Sequence, residues 1–214
     1  MKESKLFHPS SRPAGHGITI GTPRFYDVSA ALFGGRRRVY RRLLEASGVQ
    51  RDARVLDVGC GPGYFARMLA EAVGSEGSVV GVDAAPEMTE YANRKARRLA
   101  NCQFQPGTAE SLAFPDASFD LVVSSLMLHH LPDEIQLQAV REMRRVLRPG
   151  GTLLLADFTI PERGVWRLIA RLTGHGVMQR RVPPLEPLVA EAEFTELRSG
   201  DAPPWLHYVR ATRA

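Results

Sequence analysis

Cysteine is scarce. Two residues, Cys60 and Cys102, in a chain of 214 exclude a disulfide framework and a cysteine-rich zinc site. No run reaches 18 apolar residues, so no membrane-spanning helix is expected. The opening MKESKLFHPSSRPAGHG lacks the apolar stretch of a secretory signal, which makes the cytoplasm the expected location. Neither aromatic-interleaved strands nor zinc-finger spacing accompanies the basic residues, so nucleic acid is not an expected partner. Internal repeats are missing too. What is present, 44% hydrophobic and 24% charged residues, suits one globular domain with a full core. A chain of this length buries roughly 70% of its unfolded surface without staples.

The net charge of +5 is unevenly spread, with +6 over residues 1–53, −3 over 54–157 and +2 over 158–214. Arg36, Arg37, Arg38, Arg41 and Arg42 dominate the first segment. Taken as arginines on several sides of one helix, they form a solvated face. Taken as a patch, they would attract an acidic partner such as an anionic membrane surface.

Residues 1–24 are rich in Pro, Gly, Ser and His without periodicity and read as a flexible arm. Residues 25–214 read as a single domain: N-terminal helices over 25–53, a core over 54–157 and a tail over 158–214. In the first part Leu32, Val39, Leu43 and Leu44 suggest one or two helices, broken at Gly34-Gly35. The core alternates. Strands are predicted over 54–58, 78–82, 102–105, 119–124 and 152–157. Helices are predicted over 63–73, with Phe65, Met68, Leu69 and Val73 inward, over 86–99, and from a cap at Asp133 to Leu147. Arg148-Pro149-Gly150-Gly151 reads as a stop between helix and strand. Strands separated by helices, several of them apolar throughout, predict a doubly wound α/β domain with a mostly parallel sheet covered on both faces. In the tail, 165–172 looks helical and Val182-Pro183-Pro184 interrupts. Two further strands over 194–198 and 205–212 are joined by too few residues for a crossover, so this pair is antiparallel.

The chemistry concentrates in the core. A strand empties into Gly59, Gly61 and Gly63, and a helix starts at once. Glycines there let the backbone turn tightly and approach a ligand, with a helix N-terminus behind. The dinucleotide fingerprint GxGxxG is not met, because Tyr64 stands at its third glycine. The next strand ends in Asp83, 20 residues after Gly63, where a carboxylate can accept hydrogen bonds from both hydroxyls of a ribose. Alone, Asp83 reads equally as a turn residue or a helix cap. Beside the glycine loop it reads as a ribose ligand.

At this point the chain resembles the class I S-adenosylmethionine-dependent methyltransferases, in the ubiquinone/menaquinone-biosynthesis-like (type 11) branch. The resemblance runs from about Tyr26 to the C-terminus and rests on VLDVGCGPGYFA at 55–66, GVDAAPEM at 81–88, GTAESLAFPDASFDLVVSSLMLHHL at 107–131 and REMRRVLRPGGTLLLADF at 141–158. It implies a Rossmann-like sheet of seven strands with the last inserted antiparallel beside the fifth, and S-adenosylmethionine as cofactor. It also implies roles. Gly59, Gly61 and Gly63 would cradle the methionine part, Asp83 would hold the ribose, and Ala84 and Met88 would pack on adenine. Thr108 and Ala109 would meet the adenine edge, where family members commonly carry an Asp in place of Thr108. Ser125 would line the methionine moiety and Tyr26 would close over the sulfonium. The acceptor would be a small or lipid-like molecule, methylated on carbon or oxygen.

His129 and His130 are the candidate catalytic pair. They follow the fourth strand on the cofactor side, and no spacing to a carboxylate or cysteine suggests a metal site. Each reads either as a packing histidine or as a general base, since an ordinary imidazole titrates at about 6.5. Strand alternation from Ser125 favours His129. Asp157, at the end of the fifth strand, reads as a site carboxylate or as the cap of the next helix. Two rival functions stand beside methyl transfer: a nucleotide-cofactor oxidoreductase, which the missing third glycine disfavours, and a non-catalytic cofactor-binding module.

Overall fold

A computed structural model describes residues 36–158, 184–203 and 206–214. Residues 1–24, Tyr26 and the stretch 165–172 read as helical from its sequence lie outside the described residues. The elements run α1 (Arg36–Ser47), β1 (Arg54–Val58), α2 (Tyr64–Val73), β2 (Ser78–Asp83), α3 (Pro86–Ala96), β3 (Cys102–Pro106), β4 (Phe119–Ser125), a 3₁₀ turn (Leu128–His130), α4 (Asp133–Val146), β5 (Leu147–Phe158), α5 (Leu185–Glu191), β6 (Phe194–Ala202) and β7 (Leu206–Arg213). One sheet of seven strands has the order β3-β2-β1-β4-β5-β7-β6. Strands β1 to β5 are parallel, while β7 pairs antiparallel with both β5 and β6. This is the fold that the alternation of strands and helices predicts.

Period-two burial sorts the strand residues to two faces. Leu43, Phe65, Leu69, Val73 and Ala92 pack from α1, α2 and α3 onto Val55, Val79, Leu121, Val123 and Leu154. Val140, Met143, Val146 and Val189 pack from α4 and α5 onto Leu56, Val58, Val122, Leu153 and Leu155. The chain order reverses between β1 and β4, and in open α/β sheets ligands bind in the crevice beyond the strand C-termini at such a reversal.

Several expectations are corrected. In α2 the buried face is Phe65, Ala66, Leu69, Ala70 and Val73. Met68 is only half-buried, since the small alanines bring the helix close to the sheet and Met68 sits at the rim. Helix α3 stops at Ala96 rather than 99. Asp133 does not cap α4: Pro132 holds the cap position, and Asp133 is the first helical residue, accepting a hydrogen bond from Gln136 Nε2 at 3.4 Å. Arg148-Pro149-Gly150-Gly151 lies inside β5, where β4 advances from Phe119 to Leu121 while β5 advances from Leu147 to Thr152. The turn residues are thus bulged out of the ladder, with Gly150 at φ 75°, rather than separating helix from strand. Strand β6 continues through 199–202, so the β6–β7 connection is shorter than expected. Helix α5 has no counterpart among the predicted elements, because Pro187 hides a short apolar pattern that begins right after Pro184.

The arginines of α1 are also differently arranged. Successive helical residues turn by about 100°, which puts Arg37, Arg38, Arg41 and Arg42 on one exposed side, opposite buried Val39 and Leu43. They form a stripe, and its one described acid, Glu45, pairs loosely with Arg41 at 3.9 Å.

Candidate active site

The glycine loop closes the C-terminal end of β1. Gly59, Gly61 and Gly63 all have left-handed backbone, at φ 72°, 50° and 72°, which side-chain-bearing residues adopt only with strain. They differ in what surrounds them. A Cβ on Gly59 would lie 2.3 Å from Met127 Cγ, and one on Gly63 would lie 2.5 Å from the Phe104 ring. A Cβ on Gly61 would meet nothing within 4 Å. Gly59 and Gly63 are therefore glycines of packing, and Gly61 faces open space where a ligand can touch backbone.

Strand β2 holds the loop in place. The Gly59 and Cys60 N–H groups both donate to the Val82 carbonyl, at 2.8 and 3.0 Å. The Asp83 carboxylate accepts the Gly61 N–H at 2.8 Å and the Ala85 N–H at 3.0 Å, one on each oxygen. Burial raises its pKa, and these two amides pull it back down. Each oxygen keeps a lone pair for a ribose hydroxyl. Ala84 is exposed beside it, and Met88 is buried in the first turn of α3. The Gly107 N–H donates to the Asp83 carbonyl at 3.0 Å and so brings half-buried Thr108 and buried Ala109 to the same end of the sheet. Arg145 fixes the chain beyond them by donating to the carbonyls of Leu112 and Phe114, both at 2.8 Å.

Asp57, which sits in the VLDVGCGPGYFA motif without a role assigned to it there, is the least expected member of the site. It is 1% exposed, and neither carboxylate oxygen has a hydrogen-bond partner. It lines a cleft with Tyr40, Gly59, Gly61, Tyr64 and Ser125. Burial, and then the charge of Asp83, push its pKa up to about 7, against a smaller pull from the Ala66 amide. The Ser124 hydroxyl is unpartnered as well, but on the opposite face of the sheet, level with Val58. Buried polar groups are ordinarily hydrogen-bonded, so an orphaned carboxylate on a cleft wall marks a place for a cationic or donor-bearing ligand. Tyr40, from α1, carries no motif either; its ring meets those of Tyr64 and Phe65 at 5.3 and 5.2 Å.

The histidine pair lies next door. Strand β4 ends at Ser125, and His129 and His130 occupy the 3₁₀ turn beyond it, so alternation from Ser125 does not extend to them. The Asp157 carboxylate organises the turn. Oδ2 accepts the His129 backbone N–H at 3.1 Å, while Oδ1 lies 2.7 Å from His129 Nδ1 and accepts the Phe158 N–H at 2.8 Å. Both side chains are nearly sealed, 4% and 1% exposed. A carboxylate on Nδ1 places the imidazole proton there and leaves Nε2 with its lone pair. The His130 ring lies 4.0 Å from that of His129, centroid to centroid, tilted by 42°. Burial, and then the neighbouring His129, push its pKa down to about 4.

Residues 55–151 match the family model described as a methyltransferase domain. Over that stretch the chain is similar to methyltransferases. A demethylmenaquinone methyltransferase of Staphylococcus epidermidis is 36% identical over 138 residues, covering 64% of this chain and 56% of that protein. One from Listeria welshimeri is 39% identical over 123 residues, covering 56% and 51%. The chain thus spans about half the length of the curated relatives it matches. Among solved structures, a SAM-dependent methyltransferase from Aquifex aeolicus superposes with a TM-score of 0.68 at 22% identity, over 84% of this chain and 93% of that one. The YcgJ protein of Bacillus subtilis does so at 0.63 and 29% identity, over 77% and 71%.

The residues fit S-adenosylmethionine, whose family-wide role is to supply a methyl group made electrophilic by positive sulfur. Asp83 would hold the ribose, Gly61 would lie against the ligand, and Asp57 and Ser125 would face its amino-acid end. Three substitutions separate these roles. Gly61→Val is expected to abolish cofactor binding in titration calorimetry, and to cost about 1–3 kcal/mol of stability because a β-branched residue is strained at φ 50°. Gly63→Ala is expected to cost about 1–3 kcal/mol of stability through overpacking. Asp83→Ala is expected to weaken binding roughly ten- to a hundredfold, the scale of lost hydrogen bonds to a charged acceptor. Unchanged affinity in both Gly61→Val and Asp83→Ala would remove the cofactor assignment.

Proposed function

We propose that this chain transfers the methyl group of S-adenosylmethionine to a quinone-like lipid acceptor, with His129 as general base. The observation that carries the reading is that β4 delivers Ser125 to the glycine-loop cleft and, four residues further on, a buried histidine whose Nδ1 is engaged by Asp157. The activity for which the curated relatives are named supports the acceptor class. A quinol methylated on carbon or oxygen must lose one proton overall, so the transfer leaves a methylated product, a neutral thioether and a proton. His129 Nε2 takes that proton, and Asp157 steadies the imidazolium that forms. The rest of the work is positioning and exclusion of water at a carbon already activated for in-line displacement. His130 stays neutral near pH 7 and serves packing.

The test is incubation of the purified protein with deuteromethyl-labelled cofactor and a reduced demethylated naphthoquinone, followed by mass spectrometry. A product heavier by one labelled methyl group is expected. His129→Ala is expected to lower turnover by roughly 10²–10⁴-fold with cofactor affinity nearly intact, and Asp157→Asn to lower it in the same direction. His130→Ala mainly lowers the unfolding temperature. Full turnover in the His129 variant across pH 6–9 would dismiss the base, and absence of any labelled product would dismiss the acceptor class.

We further propose that the α1 stripe brings the enzyme to anionic membranes, where such an acceptor resides. The stripe adjoins the cleft, because Tyr40 on the same helix lines it. Among the described residues no helix is long and apolar enough to cross a membrane, so contact of this kind is peripheral. Each basic residue near such a surface contributes about 1 kcal/mol. Co-sedimentation with liposomes is expected to rise with anionic lipid and fall with salt, and to weaken in an Arg37→Gln/Arg41→Gln variant. Equal sedimentation with neutral vesicles would overturn this.

A further inference from the structure

The first turn of α5 is fastened to the β6–β7 hairpin through one imidazole. His207 stands in β7 directly opposite Asp157 of β5 and Asp201 of β6, and opposed residues of antiparallel strands share a face. Two residues further along β7, on that same face, Val209 packs with Leu185 and Val189 of α5. Both ring nitrogens of His207 are engaged. Nδ1 lies 2.9 Å from Asp201 Oδ1, and Nε2 lies 2.7 Å from Oε1 of Glu186, in the first turn of α5. Asp157 does not compete, because its oxygens hold the His129 ring and two backbone amides.

A neutral imidazole carries one N–H and can donate to only one of two carboxylates; its other nitrogen then turns a lone pair toward the second. Hydrogen bonds to both carboxylates at once require the imidazolium. The surroundings favour it. Burial lowers the His207 pKa, but the hydrogen bonds to Asp201 and Glu186, and the charges of the same two acids, outweigh that and raise it overall. Glu186 answers in the opposite sense: burial raises its pKa, while His207, its own amide and the Ser199 hydroxyl bring it below the usual value. Glu186 is the stronger partner, since Asp201 is 73% exposed and exposed pairs contribute little. A helix of seven residues is marginal by itself. Its docking rests on buried Leu185 and Val189, on half-buried Leu188 and on the Glu186 contact.

We propose that protonated His207 is a pH-sensitive latch that holds α5 on the β6–β7 hairpin, and that loss of its proton loosens the helix. A histidine whose pKa is raised by folding contributes stability that is complete below the unfolded value of about 6.5 and is lost as pH rises through the folded value. The latch is therefore closed at slightly acidic pH, down to the range in which Glu186 takes up a proton, and it opens on the alkaline side. Helix α5 is the first described element after β5 ends at Phe158, so the latch fixes where the chain that leaves this rim returns to the sheet.

Two measurements on the full chain test this. Imidazole NMR through pH 6–9, with His207→Gln to assign the signal, is expected to place the His207 midpoint above about 6.5. Hydrogen exchange at the Val189 and Ala190 amides, corrected for intrinsic exchange, is expected to show protection that falls as His207 loses its proton. Amides of α3 serve as the reference, because ionisation of Asp57 also moves the global stability in this range. Linkage sets the size of the fall at about tenfold for each unit by which the His207 midpoint stands above the unfolded value. His207→Gln removes the titrating group and is expected to leave α5 weakly protected at every pH. His207→Lys keeps a charge to about pH 10 and is expected to preserve the protection at pH 9. A His207 that titrates at or below about 6.5, protection of α5 that does not change across pH 6–9, or a pH-dependent loss that persists in His207→Gln would overturn the latch. So would a His207→Lys variant that loses protection with the wild-type midpoint. None of these outcomes bears on the methyltransferase proposal, which rests on the glycine loop and on His129.

Discussion

A carboxylate sealed at the end of β1 is the constraint around which the site is arranged. Asp57 is a strand residue in the middle of the sheet, flanked by β2 and β4, and its side chain points where the chain must turn away to make room. Apolar residues surround it, and the carboxylate nearest in charge, Asp83, repels it. Such a group is costly to keep without a partner. Within the described residues no donor reaches hydrogen-bond distance of its oxygens, and only the Ala66 amide pulls on it, which is how a binding site differs from a core. The stability surrendered there is recoverable when a cationic or donor-rich ligand arrives.

The glycine loop makes that arrival possible, and it does so with a division of labour. Gly59 and Gly63 let the loop lie flat against Met127 and Phe104, which fixes where Gly61 sits. Gly61 alone then faces the ligand. Asp83 acts twice, orienting the loop through the Gly61 amide while presenting its remaining lone pairs outward. Three strands along the same edge, Asp157 performs the comparable service for His129, holding both its backbone and its ring. In the proposed reading, one carboxylate builds the cofactor side and another the acceptor side. The topological reversal between β1 and β4 puts both on one rim.

Much of this was legible in the residues. Alternating apolar strands and amphipathic helices carried the doubly wound sheet, and the short link before Leu206 carried its antiparallel edge. The glycine loop and Asp83 stood out because glycine and a strand-end carboxylate at that spacing have few other uses. What could not be read were properties of three-dimensional neighbours. Asp57 looked like an ordinary strand residue, because nothing local shows that both its oxygens go unpaired. The His129–Asp157 contact joins residues 28 apart, and strand alternation could not anticipate a 3₁₀ turn after Ser125. The α1 arginines resolved into a stripe only once Val39 and Leu43 showed which side is buried. Arg148-Pro149-Gly150-Gly151 read as a terminator, whereas β-bulging absorbs it into a strand.

The ionisation of Asp57 tests the account most directly, because one group links the emptiness of the free site to what fills it. Its pKa in the folded protein is raised from 3.8 to about 7. Between those values the folded chain keeps a proton that the unfolded chain has lost, so the free protein loses stability as pH rises through that window. Affinity for a ligand bearing an ammonium group moves oppositely and rises as Asp57 ionises. Carboxyl-carbon NMR through a pH titration, with Asp57→Asn to assign the signal, measures this in the free protein and with S-adenosylhomocysteine. The account predicts a midpoint near 7 without ligand, falling by at least about one unit when the ligand binds, equivalent to about 1.4 kcal/mol of coupling. An Asp57 that titrates near 4 in the free protein, or whose midpoint does not move on saturation with ligand, would contradict it.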